Sequence, residues 1–278
     1  MRFDWSTLGA VAPAALADAR LQAHCAAQWP TRAARANLAA VPDDSHSSLQ
    51  WSPAHAALLS QPLPARGGAV RVGVRIAPLD LCIVRDAAQL DGFGLDARED
   101  AAAGVWLDSA LLGLGLEPAS GVALPYSIPG HPVGKGAPYD RAGEADALAE
   151  LARWYAAGAE LLADFAAPHA GPDSVRCWPH HFDIAISVAL EQGDPETARS
   201  VGIGVSPGDE YYAQPYAYVS PWPRPDAASL PLLPAPGRWH TRDFVAAVVT
   251  GEQILALSDR RAGLRAVIDA AFEFSRAR

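Results

Sequence analysis

The stretch that decides the fold runs from Val175 to Trp222, VRCWPHHFDIAISVALEQGDPETARSVGIGVSPGDEYYAQPYAYVSPW. Its apolar residues alternate with small or polar ones, which is the period of half-buried strands. The pattern predicts strands at about 174–178, 182–191, 199–206 and 215–221, separated by turn residues. The same stretch gathers two adjacent histidines, the carboxylates Asp183, Asp209 and Glu210, and a run of tyrosines. No other part of the chain concentrates so many chemically useful side chains.

Working outward, Glu144 to Ala167 carries Leu148, Leu151, Tyr155, Ala159, Leu162 and Ala166 on one stripe and predicts a long amphipathic helix. Before it, residues 122–140, VALPYSIPGHPVGKGAPYD, are too rich in Pro and Gly for a regular element and read as a lid or linker. Residues 99–115 read as a helix opened by Glu99 and Asp100. In AVRVGVRIAPLDLCIVRD (69–86), Val70, Val72, Val74 and Ile76 face one way, a turn follows at Pro78, and two strands are expected. The Ala-rich segment 6–40 reads as two helices broken around Trp29-Pro30, because proline removes a donor and crowds the preceding turn. Residues 41–50 read as a loop. Beyond the central stretch, the Pro-rich segment Pro221–Gly237 reads as an extended loop, 239–249 as one last strand, and the chain from about 260 as a helix with Leu264, Val267, Ile268, Ala271 and Phe274 inward.

The two halves share an order. The first runs helix, SLQWSPAH, VRVGVRIAPLD; the second runs helix, SVRCWPHHFD, SVGIGVSPGD. Trp51 and Trp178 lie 127 positions apart, and Pro78 and Pro207 lie 129 apart. The expectation is an α+β protein with a mostly antiparallel sheet, helices packed on it, and a weak internal duplication of a helix-strand-strand unit. Its parts would be an N-terminal α+β half (1–121), a Gly/Pro-rich connector (122–143) and a C-terminal α+β half (144–278) that carries the site.

Composition narrows the function classes. With 278 residues the chain can bury a sizeable core. The net charge is −9, and Lys135 is the only lysine, so no basic stripe exists for nucleic acid. No unbroken apolar run reaches about 18 residues, so no membrane span is expected. Three cysteines (Cys25, Cys82, Cys177) without CxxC spacing and an N-terminus without a signal-peptide core suit a reduced, cytoplasmic protein.

On a strand from 181 to 190, His181 and Asp183 would be neighbours on one face, roughly 7 Å apart. Ala185, Ser187 and Ala189 would leave room above the sheet, and Gly202 and Gly204 would clear the next strand. The turn SPGDE adds Asp209 and Glu210, and His240 opens the last strand. Imidazoles with carboxylates suit Zn, Fe or Mn. The metal set would be His180, His181, Asp183 and His240, with Asp209 and Glu210 as catalytic carboxylates taking a proton from metal-bound water. Trp178, Tyr212, Tyr216 and Tyr218 would form a ligand-binding wall, with Tyr211 and Trp222 beside them, and His131 would be a lid residue or, more simply, an exposed residue of its Gly/Pro loop. Against this, HHxD matches no established ligand spacing, SPGDE is an ordinary turn composition, and tyrosines are good strand formers. The leading expectation is a small-molecule site, metal-dependent and hydrolytic. The alternatives are a non-catalytic ligand-binding protein and a structural or interaction module.

PYSIPGHPVGKGAPYD, CWPHHFDIAI, SVGIGVSPGDEYYAQPYAYVSPWP and WHTRDFVAAVV resemble, taken together, a family of bacterial proteins without an assigned activity. The likeness is strongest over residues 122–250. It implies that the WPHHFD, SPGDE, PYAYV and WHT motifs form one unit, and it brings no catalytic residue with it.

Overall fold

A computed structural model describes residues 2–171, 174–193 and 197–278. The chain is α+β, with two antiparallel sheets and helices on both. It divides into two compact units. The first holds residues 16–153 with 177–182; the second holds 1–15, 154–176 and 183–278. The 122–143 segment lies within the first unit.

The first unit is built on α1 (Ala17–Asn37), followed by β1 (Gln50–Ser52), β2 (Ala57–Leu59), β3 (Arg71–Arg75), β4 (Asp80–Arg85) and β5 (Ala88–Gly94), a meander in the order β1-β2-β3-β4-β5. Helix α2 (Asp100–Gly113) follows. The predicted break in the N-terminal helix is not there: α1 runs straight through Pro30. Ala19, Ala23, Ala26, Ala27, Trp29, Ala33 and Ala34 are all buried along it. An interior proline costs about 3 kcal/mol, and burial of so many apolar side chains outweighs that. Two short strands, β1 and β2, form where a loop gave way to SLQWS, and β5 was not marked by any alternation because nearly all of it is exposed.

Strands β3 and β4 form as expected, in register from Arg71↔Val84 to Arg75↔Asp80. The connecting turn puts Leu79 at φ 48, and Arg75 closes it with a bidentate pair onto Asp80 (2.7 and 2.5 Å). Val70, Val72, Val74 and Ile76 are fully buried. Gly104 of α2 faces the Trp29 ring of α1, where an added Cβ would lie 2.6 Å from the indole.

Helix α3 (Ala145–Ala166) is the predicted amphipathic helix, with Leu148, Leu151, Tyr155 and Leu162 buried. The chain passes between the units along it, after Arg153. The second sheet has the order β10-β11-β9-β8-β7-β6, with β6 (Arg176–Trp178), β7 (Asp183–Ala189), β8 (Ser200–Ser206), β9 (Tyr216–Trp222), β10 (Arg238–His240) and β11 (Ala246–Thr250). The segment expected as one last strand is a hairpin. Asp243 takes φ 64 in its turn, and Arg238 pairs with Val248. β9 also extends through Pro221 to Trp222, one residue past the expected start of the loop.

One face of this sheet (Ile184, Ile186, Val201, Ile203, Val205) is buried. Gly158 lets the second half of α3 come close to it, since a Cβ there would meet Ile184 and Val205 at 3.2 Å. The short α4 (Gly251–Leu255) opens with a capping box between Thr250 and Gln253. α5 (Arg260–Ala277) starts at the Asp259 cap and buries Leu264, Val267, Ile268, Ala271 and Phe272. Among the described residues, no helix is long and apolar enough to cross a membrane.

Candidate functional site

The chemistry-bearing residues separate into a largely buried cluster on one sheet face of the second unit and another in the first. In the second unit, cross-strand register sets a row Ala185–Gly204–Tyr218–Val248–Arg238 on one face. Asp183 lies two residues before Ala185 and Tyr216 two before Tyr218, so both share that face. The Tyr218 side chain crosses Gly204 and its hydroxyl donates to the Asp183 carboxylate. A Cβ on Gly204 would sit 2.6 Å from Tyr218 Cζ and Oη. The glycine expected to leave a pocket floor is therefore covered by a tyrosine ring. Gly204→Ala is expected to cost about 1–3 kcal/mol in urea unfolding by displacing that ring. An unchanged midpoint would refute the packing argument.

Asp209 is equally engaged. Its Oδ1 accepts from the Tyr211 and Tyr212 amides (2.8 and 3.0 Å), and its Oδ2 accepts from the Tyr216 hydroxyl at 2.6 Å. Four hydrogen-bonding sites on a carboxylate leave little for a substrate once three are taken. Both buried tyrosines have phenols pushed well up, first by burial and then by the neighbouring carboxylates: Asp209 for Tyr216, Asp183 for Tyr218. Glu210 is exposed on the same turn.

His240 has both nitrogens occupied. Nε2 faces the Arg242 carbonyl at 2.5 Å and so carries the proton, while Nδ1 accepts from the Tyr212 hydroxyl at 2.9 Å. Its ring stacks on Phe244 (4.2 Å, 19°), and Tyr211 stands edge-on to both, 5.5 Å from His240 and 5.0 Å from Phe244. The Arg238 guanidinium lies 5.6 Å over Tyr212. The Tyr211 phenol is raised by loss of hydration, then by Asp243, Glu210 and Asp209, with Arg242, which pairs with Asp243 at 3.5 Å, opposing them.

In the first unit the predicted strand does not reach His181. Phe182 takes φ 58 and both His181 and Phe182 donate backbone bonds to the Trp178 carbonyl, so WPHHF is a turn and β7 begins only at Asp183. His181 and Asp183 are thus not same-face strand neighbours. His181 is exposed; His180 is half-buried among Trp178, Tyr126 and His181 rings, and burial pushes its pKa down to about 4. The turn is docked on α1: His24 Nε2 and Gln28 Nε2 both donate to the Pro179 carbonyl (2.8 and 3.0 Å), and His24 stacks on Phe182. His131, read as an exposed loop residue or a lid, is instead mostly buried and bonds Asp18 at 3.1 Å.

Of the sequence-derived residues, Asp183 with Tyr218 and Asp209 with Tyr216, Tyr212 and His240 form a connected set. His180, His181 and Trp178 belong to the other unit. Among the described residues, no group of three or more His, Cys, Asp or Glu is placed to hold a metal ion. Phe244, His24 and Gln28 had no signal in the sequence: one is an isolated aromatic, the others sit inside an Ala-rich helix. All three cysteines are buried and outside any disulfide, and burial raises Cys25 and Cys82 to about 11, which keeps them as unreactive thiols. No protein-family model, no curated protein and no solved structure matches this chain.

Proposed function

We propose that this chain is a non-catalytic binding protein for a small polar molecule, and that the ligand is an organic cation. The observation that carries this reading is the ring cluster of Tyr211, His240 and Phe244, with Tyr211 only half-buried and Glu210 exposed on the adjoining turn. Aromatic faces and carboxylates together attract ammonium and guanidinium groups. The backbone bonds of Asp209 to Tyr211 and Tyr212 hold the rings in place before any ligand arrives, which lowers the ordering cost of binding.

A hydrolytic role finds less support. Asp209 accepts three bonds within the protein, which leaves little of its carboxylate to engage a water or substrate. The reading also places the protein in the cytoplasm, which three buried cysteines outside any disulfide suit. It takes the N-terminal and C-terminal halves of the sequence as copies as well, on the ground that α1 leads into the meander β1-β2-β3-β4 and α3 into β6-β7-β8-β9.

Calorimetric titration with tetramethylammonium and with arginine methyl ester tests the proposal, with acetate as the control anion. Both cations are expected to bind in the millimolar range, and Tyr211→Ala to weaken them about two- to fivefold, the size of an exposed cation–π contact. If neither cation binds the wild-type protein, or Tyr211→Ala binds them equally, the cluster is a structural clamp.

A further inference from the structure

Three phenols of the second unit stand in one line, and each donates to a group able to take its proton. Tyr212 donates to His240 Nδ1 at 2.9 Å, Tyr216 to Asp209 Oδ2 at 2.6 Å, and Tyr218 to the Asp183 carboxylate. Ring centroids lie 4.8 Å apart from Tyr212 to Tyr216 and 6.1 Å apart from Tyr216 to Tyr218, the contact range of aromatic pairs. Strand geometry produces the line. Tyr216 and Tyr218 share one face of β9, and the Asp209 bonds to the Tyr211 and Tyr212 amides fix the preceding turn. Tyr216 packs with Ala246 and Val248, and Tyr212, Tyr218 and Phe244 pack against that group.

The bases matter because a phenol loses an electron readily only when its proton leaves as well, and a base must lie within hydrogen-bond reach to receive it. Other tyrosines differ. Tyr126 donates to the Gln28 amide oxygen at 2.9 Å, and an amide takes no proton. Tyr139 does donate to a carboxylate, Asp100, but it lies in the first unit and shares that oxygen with Trp29 Nε1.

We infer that Tyr212, Tyr216 and Tyr218 form a relay that carries a one-electron oxidation inward from the half-buried Tyr212. The co-reactant is a diffusing one-electron oxidant, by class an oxygen-centred radical or a high-potential metal complex. It removes one electron from Tyr212, whose Oη proton passes to His240 Nδ1. That leaves a neutral phenoxyl radical and an imidazolium that keeps its Nε2 bond to the Arg242 carbonyl. Tyr216 next gives an electron to Tyr212; its own proton goes to Asp209, and His240 returns its proton to Tyr212. Tyr218 then reduces Tyr216, Asp209 returns its proton, and the Tyr218 proton passes to Asp183. The net change is one electron lost to the oxidant and one proton moved from Tyr218 to Asp183. Tyr216 is only 5% exposed, so a radical on it is kept from coupling with a tyrosine of another molecule. The relay stands apart from the cation-binding reading, because no ligand takes part in it.

Photo-oxidation of the full chain with tris(bipyridine)ruthenium and persulfate, followed by freeze-quench electron paramagnetic resonance, tests this. The wild type should give a long-lived phenoxyl signal and little dityrosine. Tyr216→Phe should strand the radical on Tyr212, so that the long-lived signal is lost and dityrosine dimers rise. Tyr212→Phe should lower the yield of the signal, and Tyr126→Phe, off the line, should change neither readout. Circular dichroism checks the folding of each variant. Tyr212→Phe leaves both tyrosine–carboxylate pairs in place and gives the reading if Tyr216→Phe fails to fold. A wild type without a phenoxyl signal, a signal unaltered by Tyr212→Phe and Tyr216→Phe, or an equal loss in Tyr126→Phe would each overturn the proposal.

Discussion

Acidification from neutral pH toward pH 4 is expected to strip about 3 kcal/mol of stability through one residue, His24. The imidazole is 4% exposed, stacked 4.8 Å from Phe182, and its Nε2 proton is committed to the Pro179 carbonyl. Burial is the largest cause lowering its pKa from 6.5 to about 4; Arg20, His181 and His180 add repulsion, and the Pro179 bond opposes them. In the unfolded chain the ring takes a proton near 6.5, while in the folded chain it refuses one until about 4. The unfolded state therefore binds more protons in that window, so the contribution is fully present above pH 6.5 and lost as pH falls toward 4. Roughly 2.5 units at about 1.4 kcal/mol each give about 3.5 kcal/mol in full, of which about 3 is lost by pH 4, where the folded ring is half protonated. His180 adds in the same direction, but it is half-buried and solvent screens it. His24→Phe isolates the effect, because the stack on Phe182 survives and Gln28 still donates to Pro179. Urea midpoints should fall steeply with acid in the wild type and much less in the variant, carboxylates accounting for what remains. Parallel pH profiles for the two proteins would show that His24 titrates freely and that the turn is not docked as described.

That turn also marks where reading residues in order stops working. The strands from Ile184 to Trp222 were legible because their apolar residues alternate with period two and each alternating set is buried on one face. Helix α3 was legible because its stripe is strong. The N-terminal helix was misread at Pro30 because the cost of proline is local and visible, whereas the burial that outweighs it depends on what packs around α1. Strand periodicity was carried one residue too far at His181 because nothing in HHFD announces that Phe182 adopts φ 58. The candidate site suffered from the same blindness. Asp183, Asp209, Tyr216 and Tyr218 are all together, as proposed, but sequence cannot say whether a carboxylate points at a ligand or at a tyrosine two strands away. Gly204 looked like space for a substrate, and its register partner Tyr218 fills that space.

The Asp183–Tyr218 pair is where that difference becomes measurable. Asp183 is 6% exposed at the mouth of β7, and the Tyr218 hydroxyl donates to it across β8. A hydrogen bond to a buried charge contributes about 1.5–3 kcal/mol, more than a neutral one. Tyr218→Phe should cost that much in urea unfolding, and Asp183→Asn somewhat less, since an amide oxygen still accepts from the phenol. The double variant should be less destabilised than the two losses added together by about 1 kcal/mol or more, the signature of a direct contact. Alkali gives an independent reading. Tyr216 and Tyr218 both have phenols raised above 10 in the fold, so the folded chain keeps protons that the unfolded chain releases. Stability is then intact below pH 10 and falls above it by about 1.4 kcal/mol per pH unit for each tyrosine. Asp183→Asn removes a charge that suppresses Tyr218 ionisation, and phenolate absorbance in that variant should appear at lower pH. Strictly additive costs together with an unshifted phenolate titration would mean that the two side chains merely lie near one another, and the polar network that orders this sheet face would have to be redrawn around Asp209 alone.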